Sequence, residues 1–176
     1  TIQPDNMPTI DEDIIIEGPV TLDGTDLSPL FTVSSDTSLT LDAAGLPLQL
    51  IVENCTSSCI IASDSTSTVN ALGVLFQDNS TGSDGGAIRA GGTLNVAGST
   101  FLNNSAGGDG GAIDYSGRSL SINASIFGGL PANLLGNTAG GNGGALRLAT
   151  SSSPSSWSIA GSAFIGNTST NAGGSQ

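Results

Sequence analysis

The chain has 176 residues and a formal net charge of −12, with three arginines (Arg89, Arg118, Arg147), no lysine and no histidine. That balance excludes direct recognition of a nucleic-acid backbone or an anionic membrane surface, which need a basic patch, and the absence of histidine excludes a Ser-His-Asp nucleophile. Glycine, at 26 residues, is about twice its usual share, yet charged residues are only 10% and apolar ones recur at regular spacing, so the composition reads as repetitive β-structure and not as disorder.

Residues 1–68 are the irregular part. Ile14–Ile16 and Leu30-Phe31 supply inward-facing positions, and Thr21-Leu22-Asp23, Leu39-Thr40-Leu41-Asp42 and Leu48-Gln49-Leu50 alternate as strands do. Turns fall near Glu17-Gly18-Pro19, Asp23-Gly24 and Ala44-Gly45. The segment reads as about three degenerate coils, continuous with the coils C-terminal to it. No apolar run spans a bilayer and no leader opens the chain. The sequence begins in mid-pattern at Thr1 and stops inside a repeat at Gln176, as a part of something longer does.

Cys55 and Cys59 have three residues between them, which excludes a Cys-x-x-Cys redox motif. Two thiols without histidine do not complete a zinc site. A local disulfide, suited to an exported protein, and a pair of reduced buried thiols both stay open. Residues 62–68 form a polar turn.

From residue 69 the chain repeats. Gly-Gly-Ala-Ile occurs at Gly85–Ile88 and Gly110–Ile113, Gly-Gly-Ala-Leu at Gly143–Leu146, and a last Gly pair at Gly173-Gly174. An aromatic precedes each: Phe76, Phe101, Phe127 and Phe164, nine residues ahead except in the third copy, where the gap is sixteen. That copy carries an insertion within 128–135. An asparagine follows at Asn79, Asn104 and Asn167, three residues after the aromatic, and Asn137 takes the role in the inserted copy. Seven, five, three and one residues before the aromatic stand Val69, Ala71, Gly73 and Leu75 in the first copy, and Leu94, Val96, Gly98 and Thr100 in the second. The step of two predicts a strand with one inward face, and the small residue at minus three predicts a bend.

A period near 25 residues, poor in helix formers, suits three short parallel strands per coil, stacked ~4.8 Å apart. The expected fold is all-β, a right-handed parallel β-helix (a single-stranded solenoid) of about seven coils and roughly 30–35 Å. It forms one body over residues 1–176, with irregular coils in 1–68 and regular ones in 69–176. Like residues then make ladders. Phe76, Phe101, Phe127 and Phe164 give a buried aromatic column. Asn79, Asn104, Asn137 and Asn167 give a turn column that bonds the adjacent coil. The Gly pair permits a tight corner.

Gly-Gly-Ala-Ile combined with Phe76-Gln77-Asp78-Asn79, Phe101-Leu102-Asn103-Asn104 and Phe164-Ile165-Gly166-Asn167 resembles the polymorphic membrane protein repeats of chlamydial outer-membrane adhesins. Related repeats occur in other exported pectin-lyase-like β-helix proteins. The resemblance covers residues 69–176 and implies an extracellular or cell-surface, non-catalytic scaffold, outer membrane-attached or secreted. Its role is adhesive or structural, and a segment of an extracellular filament or sheath is the first alternative. Implied partners are other protein chains or copies of itself end to end, or a cell-surface protein or glycan.

A polysaccharide-binding or lyase-like enzyme is the other alternative. It needs clustered carboxylates and a base. Arg89, Asp114 and Arg147 occupy matching positions and read first as a salt-bridged column. Asp84 and Asp109 precede the Gly pair and read first as turn residues. They are also weak candidates for Ca2+, the only cofactor with any basis in the sequence. Glycosylation acceptors occur at Asn54, Asn79, Asn103, Asn123 and Asn167. Asn79 and Asn167 belong to the ladder that a turn buries, while Asn103 and Asn123 read as exposed. Leu130, Leu134 and Leu135 in the insertion are candidates for a contact surface. Outward Ser and Thr show no fixed place in the repeat, which argues against an ice-binding face.

Overall fold

The computed structural model describes residues 9–25, 29–45, 49–129, 135–149 and 156–171. These form a parallel β-helix. Each coil runs through three strands that lie on three six-stranded parallel sheets, and the last four coils add a two-residue strand to a fourth sheet. The first sheet holds Thr9–Ile10, Phe31–Val33, Ile60–Ala62, Ile88–Ala90, Ile113–Tyr115 and Leu146–Leu148. The second holds Ile14–Glu17, Ser38–Asp42, Thr68–Leu72, Thr93–Ala97, Ser119–Asn123 and Ser156–Ala160. The third holds Thr21–Asp23, Leu50–Glu53, Val74–Gln77, Thr100–Leu102, Ile126–Gly128 and Ala163–Ile165.

The described residues thus make six coils, against about seven expected from the repeat count. The difference lies in phase. Ile60–Ala62 pairs with Ile88–Ala90 and opens the coil that contains Phe76, so only two whole coils precede it. Pairing runs unbroken from the first coil to the last.

Alternation explains the core. In the second sheet Leu39, Val69, Leu94 and Leu120 stack in register facing inward and are buried. In the first sheet Ile60, Ile88 and Ile113 do the same. Burying such side chains contributes roughly 1.5–3 kcal/mol each. Columns lose cover at the ends: Phe101 is 0% exposed, but Phe164, in the same column on the last coil, is 44% exposed.

The strand spacing expected before each aromatic holds only as far as the bend. Gly73, Gly98, Ala124 and Gly161 sit at φ 68°, 60°, 48° and 59°. That left-handed residue ends one strand and shifts the phase of the next by one. The inward position becomes two before the aromatic, and Leu75, Thr100 and Ile126 turn outward; Ile126 is exposed. Only glycine adopts this region without cost, so Ala124 is strained. Ala124→Gly is expected to raise stability by about 0.5–1 kcal/mol, read as a higher urea midpoint at unchanged slope.

Both glycines of the pairs that begin at Gly85, Gly110 and Gly143 are required, for different reasons. Gly85, Gly110 and Gly143 have φ of 65–68°. A Cβ on Gly86 or Gly111 would collide with the carbonyl oxygen of Gly111 or Gly144 on the next coil.

Candidate functional site

The asparagine column forms a continuous amide ladder. Asn104 Nδ2 donates to the Phe76 carbonyl (3.1 Å) and to Asn137 Oδ1 (2.9 Å), and its backbone N–H donates to the same oxygen (3.0 Å). Asn79 and Asn137 repeat the pattern, donating to Val52 and Phe101 below and to Asn104 and Asn167 above. Asn79, Asn104 and Asn137 are buried. Every polar atom of the inner amides is therefore satisfied inside the stack. Ahead of Cys55, Asn79, Asn104 and Asn167 the preceding residue takes positive φ: Asn54, Asp78, Asn103 and Gly166, at 59°, 55°, 54° and 67°; Gly136, after the insertion, does not. Asn and Asp tolerate that region better than other side chains with a Cβ.

Cys55 occupies the ladder position of the second coil. Its N–H donates to Asn79 Oδ1 (3.1 Å) and its carbonyl accepts Ser80 N–H (2.8 Å). Cys55 and Cys59 are disulfide-bonded and buried, with Cα atoms 5.5 Å apart. The sequence carried this signal as Val52-Glu53-Asn54-Cys55, a variant of Phe-x-x-Asn.

A second polar ladder escaped sequence reading. Ser99, Ser125 and Ser162 stand two residues before Phe101, Phe127 and Phe164. Ser99 Oγ accepts Val74 N–H (3.1 Å) and donates to the Ala71 carbonyl (3.0 Å), while Ser125 Oγ accepts Ser99 N–H (3.3 Å). These hydroxyls satisfy backbone groups left free where the chain bends.

The charged residues lie on and beside the outer side of the first sheet, where Arg89, Asp114 and Arg147 align in register. Asp114 accepts from Arg147 Nη1 at 2.9 Å and lies 4.0 Å from Arg89 Nε. Arg147 Nε also reaches Asp109 Oδ2 at 3.3 Å. Asp84 Oδ1 accepts the Asp109 N–H (2.8 Å), and Asp109 Oδ1 accepts the Asn142 N–H (2.6 Å). Both carboxylates thus brace the turn of the next coil. Among the described residues no group of three His, Cys, Asp or Glu is placed to hold a metal ion.

Asp114 is 4% exposed, and burial holds its carboxyl above the usual range despite the opposing Arg147 bond. A raised acid binds more protons when folded, so its contribution to stability grows as pH falls through the folded pKa. Asp114→Asn removes that titration. Its stability relative to the parent is expected to be highest at neutral pH and to shrink toward pH ~4, near the unfolded pKa, in paired urea titrations. Burial also pushes the Tyr115 hydroxyl up to about 12; it donates to the Gly92 carbonyl (2.8 Å).

The glycosylation acceptors divide by geometry. Asn79 is buried and its amide is engaged in the ladder, so the folded chain does not present it. Asn167 Nδ2 donates to the Phe127 carbonyl (2.9 Å). Asn54 and Asn123 are exposed. Asn103, expected to be exposed, is half-buried because its amide donates to Asp78 Oδ1 (2.6 Å) on the preceding coil. Leu135 is 64% exposed. Leu48, Leu130 and Leu134 lie outside the described residues, as do 151–155 and the final Gly pair. A cleft of about 300 Å³ opens at the last coil, lined by Ala145, Leu146, Leu148, Phe164, Gly166 and Asn167.

The outer side of the second sheet departs from the sequence reading. Ser38, Thr68, Thr93, Ser119 and Ser156 align as one rank. Thr40, Asn70, Asn95, Ser121 and Ser158 align as a second. Ser and Thr do hold a fixed place; unequal turn lengths between coils hid it in the linear sequence.

Residues 73–91 and 98–115 match the Chlamydia polymorphic membrane protein repeat. No curated protein and no solved structure matched the chain. Each matched segment begins at the left-handed bend, passes through the aromatic and ladder asparagine, and ends on the first strand of the next coil. The chain therefore carries polymorphic membrane protein-type repeats, wound as successive turns of a parallel β-helix.

Proposed function

We propose that this chain is a non-catalytic β-helix scaffold displayed outside the cell or at its surface, in the manner of an adhesin passenger. The observation that carries this reading is the repeat match, taken with where the repeat's signature side chains go. Phe76, Phe101, Asn79 and Asn104 are all buried in stacking contacts, and the glycines serve the corners. Such residues build a rod and leave recognition to what projects from it. The Cys55–Cys59 disulfide suits an oxidising, exported setting. Asp84, Asp109 and Asp114, the strongest catalytic candidates in the sequence, are engaged with backbone or arginine. Partners of a scaffold of this kind are cell-surface proteins or glycans met by projecting segments, for which exposed Leu135 marks one place.

The test is to couple the purified chain to beads and measure saturable attachment to cultured cells, beside release of reducing ends from neutral and acidic polysaccharides. Attachment without product is expected. Product release overturns the non-catalytic reading, and absence of attachment overturns the adhesive one.

A filament segment is the second reading. Parallel coils can extend end to end by the same strand pairing that joins them within the chain. Electron microscopy of native material decides it: continuous rods favour the filament, isolated particles or stalks favour the adhesin.

A further inference from the structure

We propose that the outer side of the second sheet is an ice-binding face. Four observations carry this, none of which depends on the adhesin reading.

The first is a two-dimensional lattice. The two ranks of the second sheet place a Ser, Thr or Asn at the first two of three outward positions on five consecutive coils. Neighbours along a rank are ~4.8 Å apart, and the ranks, two residues apart on each strand, are separated by roughly 6.6 Å. These repeats are close to oxygen–oxygen repeats in the ice lattice.

The second is register. Successive strands of the second sheet pair residue for residue from Ser38 to Ser156, so each rank continues from one coil to the next.

The third is charge. The chain carries fifteen acidic residues, yet none occupies an outward position of the second sheet in its last four coils. Acidic residues flank the ranks only on the first two coils, at Asp13, Glu17 and Asp42. The third outward position is Leu72, Ala97, Asn123 and Ala160 in successive coils. The face thus combines neutral hydrogen-bonding groups with methyls, which orders water without binding ions.

The fourth is rigidity. Asn95 Nδ2 donates to Asn70 Oδ1 (2.8 Å), and Asn70 Nδ2 donates to Thr40 Oγ1 (2.9 Å). Side chains held in this way have little conformational entropy left to lose when a water lattice forms on them.

The shape points to a crystal and not to a soluble ligand. Small-molecule and sugar sites are concave and lined by apolar or aromatic groups, whereas no aromatic occupies an outward position on this sheet and the cleft lies at the end of the stack. A neutral face that repeats in two directions matches a solid that repeats in the same way.

The experiment labels the purified chain with a fluorophore, grows ice slowly from its dilute solution, and measures the gap between melting and freezing of a single crystal. Incorporation into the ice and a measurable gap are expected. Ser121→Tyr, at an exposed position near the centre of the face, is expected to abolish most of the gap. Thr32→Tyr, on the outer side of the first sheet, is expected to leave it unchanged. Ser121→Lys serves as a second disruption, with circular dichroism of each variant reporting the fold. Exclusion of the parent from ice, as for a non-binding protein, overturns the proposal. So does equal loss in the Ser121 and Thr32 variants, or retention on crystalline cellulose without uptake into ice.

Discussion

Asn104→Leu is expected to destabilise the chain by about 3–6 kcal/mol, measured by urea denaturation, because it strands three partners at once and removes one of two donors from a fourth, Asn137 Oδ1, which keeps the backbone N–H. Leucine keeps the branched shape of the amide but is bulkier, so overpacking adds to the loss. What disappears is the acceptor for the Asn79 N–H and Nδ2, and the donor to the Phe76 carbonyl and Asn137 Oδ1. Asn104 is 1% exposed, so water does not replace them. Each buried polar group left unpaired costs roughly 1–3 kcal/mol, with relaxation keeping the total below the simple sum. The same change at Asn167, half-buried on the last described coil, leaves fewer groups enclosed and is expected to cost less. A loss below about 1 kcal/mol at Asn104 is incompatible with an amide ladder in a dry stack.

Phe101→Ala is expected to cost about 3–5 kcal/mol. The ring is sandwiched between Phe76 at 4.7 Å and Phe127 at 4.6 Å, and is completely buried. Its removal opens a cavity that the coils above and below cannot close, because backbone pairing on three sheets fixes their separation. Phe164→Ala removes a ring stacked on one side only, and about half the penalty is expected there. A Phe101 loss below about 1 kcal/mol contradicts an inward aromatic column.

The regular coils were legible because sequence period and coil period coincide there. Phe76 to Phe101 is 25 residues, and the rings sit one above the other. The amide column was legible for the same reason, even across the insertion that separates Phe127 from Asn137. Legibility failed wherever substitution or turn length broke the linear repeat. Cys55 replaces asparagine with a different chemistry in the same place, so Val52-Glu53-Asn54-Cys55 reads as a ladder segment only beside its bond to Asn79. The serine column was missed because the bend at Gly98 shifts strand phase, and strict alternation assigns the inward position to Thr100 instead of Ser99. The Ser and Thr ranks were missed because Ser38 to Thr68 is 30 residues while Thr68 to Thr93 is 25. Only strand register removes that difference.

The amide ladder has a direction. Each inner asparagine gives one amide hydrogen back to a carbonyl of the preceding coil and the other to the side-chain oxygen of the coil that succeeds it in sequence, so the amide dipoles share one direction and polarise one another along the axis. An N-terminal coil is left with unmet donors until its successor arrives, and the successor can meet them in only one register. Each finished turn is thus a template for the next. A chain delivered progressively from its N-terminus can wind up vectorially, one turn at a time, without sampling the slipped pairings that burden other parallel sheets.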